Sequence, residues 1–432
     1  MYHINKTEIH PYKRSVSIIG VGCTPFMNTI DNPETNGLTE GELFGYAGLQ
    51  AMEDAGVRPK DVDFYYHGCA SPLNGSNYLT PNMQVAEWVG MRGKASIHHS
   101  EACCTGYLGL ELAANAIASG KYDCVLTGAV EYGDGLAIQG LPSIYRKKFS
   151  FQEFQISTEW LTDNAYTRHL LCNIGHDNSA LWYQTQYGLT DDEIDKALCQ
   201  LAVIARRNTV NNPLAIIHKT YDEDAKEAGF DNVLDYMQSA FNPKVGGIMR
   251  ISGLEQKCDG AAAVLLCATE KVEELTHGKV KPIEVLGIGC AALEASNPYL
   301  EVYGTMEADR QVKARTGIDP SEIDLLYAND FIIGSQLIAA DISGYIPKGE
   351  GWKYVMDGRT GKDGDKPINP NGGRTAFGHA HAASGLADVY DAVKQMRGLA
   401  GDHQVKKTVN TTYLRGFGGG QNLCDIIIRN KD

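Results

Sequence analysis

Positive charge is scarce in this chain. Its 432 residues hold 39 Lys and Arg against 53 Asp and Glu, a formal net charge of −14. That balance excludes a general nucleic-acid surface, which needs clustered cations. It still allows a local basic patch for a small anionic ligand. Long apolar runs are missing as well. No stretch approaches the ~20 residues of a membrane helix, and Met1 to Ser15 is polar, without the apolar centre of a signal peptide. The 11 cysteines are odd in number, scattered, and contain no CxxC pair. Cysteine–histidine spacing of a zinc site is also lacking, so no bound metal is expected. Reduced thiols in a soluble, cytoplasmic protein are the expectation that follows. Low-complexity tracts are absent.

What is present is the composition of a globular enzyme, 43% hydrophobic and 21% charged. The length suits two fused domains. Val16-Ser17-Ile18-Ile19-Gly20-Val21-Gly22 reads as a buried strand, and a helix is predicted over 39–54. Then comes a helix stop, a turn and a second strand, Ala55-Gly56-Val57-Arg58-Pro59 through Tyr65-Tyr66. The run Thr316-Gly317-Ile318-Asp319-Pro320 through Leu326-Tyr327 repeats its glycine, proline, aspartate and tyrosine in register. A helix from Cys103 and a strand at Tyr122–Gly128 are echoed by a helix from Ala382 and a strand at Thr408–Tyr413. The alternation predicts an α/β protein of two duplicated halves, 1–270 and 271–432, with mostly parallel sheets. An insertion over about 132–248 is expected to form a lid or loop domain. It holds the basic, aromatic stretch Tyr145-Arg146-Lys147-Lys148-Phe149 and a clear helix from Asp191.

Two strand-to-helix turns carry the chemistry. Glu101-Ala102-Cys103-Cys104-Thr105-Gly106 places a thiol at a helix start, where partial positive charge favours a thiolate. A buried structural cysteine is the bland alternative, and Cys104 competes one residue on. Gly378-His379-Ala380-His381-Ala382-Ala383-Ser384-Gly385 frames a histidine with small residues, as a buried acid/base requires. His381 is a partner or lies behind it. Duplicated halves would make Cys103 and His379 face each other from equivalent helix starts. Gly416-Phe417-Gly418-Gly419-Gly420 follows a strand and suits an oxyanion hole, or is simply a tight turn. Asn329-Asp330 ends a strand, where polar groups meet a site or cap the next helix.

These residues together resemble the thiolase superfamily. Asn369-Pro370-Asn371-Gly372-Gly373 through His379 to Gly385 is similar to the family's asparagine–proline and glycine–histidine block, Cys103-Cys104-Thr105-Gly106 to its nucleophile turn, and Cys258-Asp259-Gly260-Ala261-Ala262 to its serine–aspartate–glycine segment. Tyr187-Gly188-Leu189-Thr190, Asn208 and Asn212-Pro213 look most like the sterol-carrier-type branch. The resemblance covers nearly the whole chain. It implies a five-layered αβαβα thiolase fold, a homodimer, and ping-pong acyl transfer on CoA thioesters without a metal or redox cofactor. Cys103 would attack a 3-oxoacyl-CoA, His379 would activate it, and the backbone N–H groups of Cys103 and Gly418 would hold the oxyanion. Coenzyme A would then accept the acyl group. Arg146, Lys147, Lys148 and Ser252 are candidate CoA contacts.

The departures from the family are as informative as the matches. Gly416 stands where ordinary thiolases carry a second cysteine. In the sterol-carrier branch that cysteine aligns with Asp330, although a one-residue gap would align Asn329 with the asparagine of other thiolases. Ala380 replaces the usual proline after the histidine. The second acid/base is therefore Asp330, His381, Tyr413 or a water. Members lacking the second cysteine resemble enzymes for unusual, including aromatic, acyl-CoAs such as benzoylsuccinyl-CoA, often with a small zinc-ribbon/OB-fold partner. The competing expectations are a retro-aldolase on a CoA ester and a non-catalytic scaffold.

Overall fold

The computed structural model describes residues 6–27, 38–70, 81–132, 178–244, 247–292, 300–418 and 422–430. Arg146, Lys147 and Lys148 lie outside the described residues. Nine strands form the framework: β1 Val16–Cys23, β2 Phe64–Cys69, β3 Ala95–His99, β4 Cys124–Glu131, β5 Gly260–Ala268, β6 Ile283–Ala292, β7 Leu325–Ala328, β8 Thr411–Gly418 and β9 Asn422–Asn430. Their order is β3-β2-β4-β5-β1-β6-β9-β8-β7. Helices α1 (Glu40–Ala55), α2 (Pro81–Trp88) and α3 (Thr105–Ala118) belong to the first half.

The order is internally symmetric. Reading outward from the centre, β1-β5-β4-β2 on one side matches β6-β9-β8-β7 on the other. Both central pairings carry the same irregularity, a register shift between Ile18 and Gly20 in β1 and between Val285 and Gly287 in β6. The short 3-10 turns Pro59–Asp61 and Pro320–Glu322 also recur. The sheet is mixed, not mostly parallel as the alternation predicted. Only β2–β3, β2–β4 and β7–β8 are parallel, whereas β1–β5, β1–β6, β4–β5, β6–β9 and β8–β9 run antiparallel. The last strand of each half returns against its neighbours, and a hydrophobic pattern marks a strand without giving its direction.

Side-chain alternation sorts the strands into layers. In the second half Leu325, Tyr327, Leu414, Ile426 and Ile428 face one core, together with Val125 and Leu266 of the first half. That core encloses α3 and the helix His381–Arg397. The intervening residues Leu326, Ala328, Tyr413 and Ile427 face outward, against a helix that includes Val312. On the first half's outer face, Leu126 and Leu265 meet Ala47 and Ala51 of α1. Outer helices, one half of the sheet, central helices, the other half of the sheet and outer helices make five layers. The helices start where their sequences dictate. Thr39 and Glu42 close a capping box on α1, and Gly56 ends it in the left-handed conformation.

The two central helices approach closely at two glycines. A Cβ at Gly106 would lie 2.8 Å from Ala382 O, and one at Gly385 would lie 3.2 Å from the Tyr107 ring. The N-termini of the two helices are thereby brought together.

Candidate active site

The turn between β3 and α3 is tied by one side chain. The Thr105 hydroxyl accepts the Glu101 N–H at 2.8 Å and donates to Ala102 O at 2.6 Å. Ala102 is held at φ +48°, a region that costs a non-glycine residue about 1–3 kcal/mol. The turn leaves Cys103 half-buried, while Cys104 beside it is fully buried in the central core. Of the two thiols, only Cys103 is presented. It sits two residues before α3, and His379 sits two residues before the helix His381–Arg397.

The His379 loop is fixed by its backbone and one hydroxyl. Its N–H donates to Gln256 O at 2.7 Å, and its carbonyl accepts the Cys258 N–H at 3.3 Å. Nδ1 lies 2.9 Å from Ser384 Oγ, and that hydroxyl lies 3.1 Å from Ala380 O. A hydroxyl that donates its one proton to the carbonyl must accept from Nδ1–H, which leaves Nε2 as the basic nitrogen. Ala380 takes φ −86°, close to what a proline ring would impose, so the turn forms without that proline.

Nε2 points into a cluster. One ligand atom from each of Cys103, His379 and His381 lies within 4.8 Å of the others. Glu255 completes the group, with Oε2 3.3 Å from His379 Nε2 and Oε1 3.8 Å from His381 Nε2. His379 is fully buried, and burial drives its pKa well below 6.5 despite the opposing Glu255 carboxylate. For His381 burial also opposes charge, but Glu255 and Glu131 prevail and raise its pKa. Burial works against the charge of Glu255 too, yet protonated His381, which donates to it, and Lys257 hold its carboxyl below the ordinary 4.5. With His379 neutral, His381 is the positive partner of Glu255. Glu131, at the end of β4, also accepts the Ala382 N–H at 3.2 Å, capping the helix that His381 begins.

The other predicted site residues divide into two groups. Gly418 abuts the nucleophile turn, where a Cβ would fall 2.6 Å from Cys104 N. Asn329 is buried and donates through Nδ2 to Phe417 O at 2.7 Å, so it fixes the strand end that delivers Gly418. Asp330 is committed to the glycine turn. It accepts from Arg374 N at 2.7 Å and Gln336 Nε2 at 2.8 Å, and burial raises its pKa to about 6. Tyr413 donates to Asp425 at 2.7 Å in the outer core and is likewise occupied. Ser252 is buried in a 3-10 turn, with its N–H on Asn242 Oδ1 at 3.1 Å. The position of the second cysteine is filled from elsewhere: a Cβ at Gly416 would lie 2.1 Å from the Tyr107 ring.

Glu255 escaped the sequence reading. Its only signal is a lone acid just ahead of Cys258-Asp259-Gly260, which a solvated surface charge would also give. Asn208 and Asn212 have structural roles, donating to Asn369 O at 3.0 Å and Asn371 O at 3.2 Å. They hold the turn that precedes His379. A cavity of about 390 Å³ lined by Leu214, Phe377, Tyr390 and His403 lies behind this loop and is not lined by Cys103 or His379.

Residues 292–428 match the sequence model of the thiolase C-terminal domain-like family. The chain carries a thiolase C-terminal domain on a thiolase fold. Over 96% of its length it is 29% identical to all of an acetyl-CoA acetyltransferase of Methanothermobacter thermautotrophicus. It is 28% identical to benzoylsuccinyl-CoA thiolase subunit BbsB of Thauera aromatica, over 94% of this chain and 96% of that one. Sterol carrier protein 2 of Bos taurus is 25% identical over 91% of this chain and 68% of the relative. Among solved structures, an Ltp2–ChsH2(DUF35) aldolase superposes with a TM-score of 0.72 at 20% identity, covering 98% of this chain and 99% of that one. An acetyl-CoA acetyltransferase from Syntrophomonas wolfei gives 0.66, also at 20%, covering 98% and 100%. The thiolase relatives indicate an enzyme of the acyltransferase class. Among the described residues of this thiolase-fold chain, no helix is long and apolar enough to cross a membrane.

Proposed function

We propose that this chain is a thiolase-type acyltransferase that cleaves or forms the C–C bond of a 3-oxoacyl-CoA through an acyl-Cys103 intermediate. The observation that carries this reading is the convergence of Cys103, His379 and His381 at the ends of two central helices. Neutral His379 takes the thiol proton through Nε2, and Sγ attacks the 3-oxo carbonyl. The N–H groups of Cys103 and Gly418 face the oxyanion that forms. When the C2–C3 bond breaks, its electrons pass to the departing acyl-CoA as an enolate. His381, held protonated by Glu255, supplies the proton to C2. Neutral His381 then removes the thiol proton of incoming coenzyme A, which takes the acyl group from Cys103. This gives His381 the task of the missing second cysteine. Asn329 and Asp330 act by positioning the two loops. In this reading Arg146, Lys147 and Lys148 meet the CoA phosphates, Ser252 lies along the pantetheine arm, and the acyl group is an unusual one, aromatic types included.

We also infer assembly. The edge strand β3 is partly exposed, with Ile97 51% exposed, whereas the opposite edge β7 is buried. An open edge strand is a pairing surface, and a homodimer through β3 satisfies it. A small zinc-ribbon/OB-fold partner is supported by two similar proteins, one described with a ChsH2(DUF35) chain and one described as a subunit. The chain is read as working in the cytoplasm.

Intact-protein mass after incubation with aliphatic and aromatic acyl-CoAs tests the chemistry. We expect an acyl adduct on the wild type and none on Cys103→Ala. Bond cleavage that persists in Cys103→Ala would replace this reading with a retro-aldolase.

A further inference from the structure

We propose that Cys103, His379 and His381, with Glu255 beside them, form a reversible site for zinc(II) or a similarly soft divalent cation. One thiolate and two imidazoles are a donor set that such ions favour over magnesium or calcium. No zinc spacing exists in the sequence, because the ligands come from both halves and meet only when the central helices pack. Two observations besides the donor types point to a ligand. The buried His379 Nε2 and Glu255 Oε2 face each other without hydrogen-bond partners. In addition, Ser384 holds Nδ1 of His379, the outer contact that orients a metal-binding imidazole.

The distances fit with a small closure. Tetrahedral zinc brings its sulfur and nitrogen ligands to about 3.3–3.6 Å from one another, and the three atoms already lie within 4.8 Å. Closing that difference takes a shift of about 1 Å or a little more within the cluster. On binding, the Cys103 thiol releases its proton to water and an S–metal bond replaces S–H. His379 binds as the neutral base, and His381 gives up its proton. Thiolate and carboxylate together offset the two positive charges. An ion there occupies nucleophile and base at once, so the site is a switch that turns the chain off and shields Cys103 from oxidation.

Cobalt(II) titration of the full chain, followed by absorption, is the test. We expect one cobalt per chain with thiolate-to-cobalt charge-transfer absorption, displaced by zinc. Cys103→Ala and Cys103→Ser should abolish that absorption, and Glu255→Gln should weaken binding about tenfold. The nearest rival is the Cys290–Cys424 thiol pair, 3.2 Å apart beside Glu111. Absorption lost in Cys290→Ser but kept in Cys103→Ala would overturn the proposal, as would its absence from the wild type. These spectra do not depend on the acyl-transfer reading. Inhibition by zinc, reversed by a chelator, does depend on it and is read separately.

Discussion

His379 and His381 are two residues apart, yet the protein pushes them to opposite protonation states. Burial, helped by the nearby positive groups, outweighs Glu255 at the first, while at the second Glu255 and Glu131 outweigh burial. The sign of the pH dependence follows. His379 stays a competent base well below its ordinary 6.5. His381 keeps its proton above that value and loses it as pH rises further. A profile of kcat/KM should therefore hold a plateau on the acid side and fall on the alkaline side. Glu255→Gln removes the main group that raises the His381 pKa, so the alkaline limb should move to lower pH and the rate at neutral pH drop about 10²-fold. An alkaline limb that stays in place would show that His381 is not the acid. Cys103 and His379 stood out in the sequence as candidates because each sits in a run of small residues opening a helix, and the fold brings them together. Glu255 did not, since nothing local distinguishes an acid that will be buried against two histidines from one that will face water. Asp330 stood out as a polar strand end, but its tie to the Gly373-Arg374 turn is a long-range contact that no local pattern encodes.

At the scale of elements, the His379 loop depends on a buried polar network. Arg374 and Asp388 pair at 2.7 Å with almost no exposure. Asn371 and Tyr107 also bond to Asp388, at 3.0 and 2.8 Å. The network ties the glycine turn to both central helices. Replacing Asp388 with Asn leaves the Arg374 guanidinium buried without its counter-charge, and we expect a loss of about 3–5 kcal/mol in urea unfolding. A loss under about 1 kcal/mol would mean that water or Asp330 neutralises Arg374. The helix boundaries were readable from local chemistry, as in the boxes Thr39–Glu42 and Thr190–Glu193. Strand direction was not. Ile426-Ile427-Ile428 looks the same whichever way it runs, and only its pairing with β8 and β6 settles that it is antiparallel.

For the whole molecule, the repeated glycine–proline–tyrosine pattern gave away the twofold design, and the matched register shifts in β1 and β6 are its physical counterpart. What no repeat could show is how the first half ends. Among the described residues it has one strand more than the second, and that strand, β3, is an edge of the sheet. Changing Ile97 to Lys puts a charge on this edge. Sedimentation should then report a monomer where we expect the wild type to be a dimer, with the fold intact by circular dichroism. A wild type that is monomeric at micromolar concentration would sink the assembly proposed for β3.

The glycine contact between the central helices has a further consequence. Gly106 lets one backbone touch the other and Gly385 makes room for the Tyr107 ring, so the gap between thiol and imidazole depends on how two rods lie together. Anything that prises the rods apart by a few tenths of an ångström, even a misfit core side chain far from the cleft, lengthens that gap first. Turnover is then the most sensitive gauge of how well this protein's interior is packed. On warming, it should fade while the sheets and helices still hold their shape.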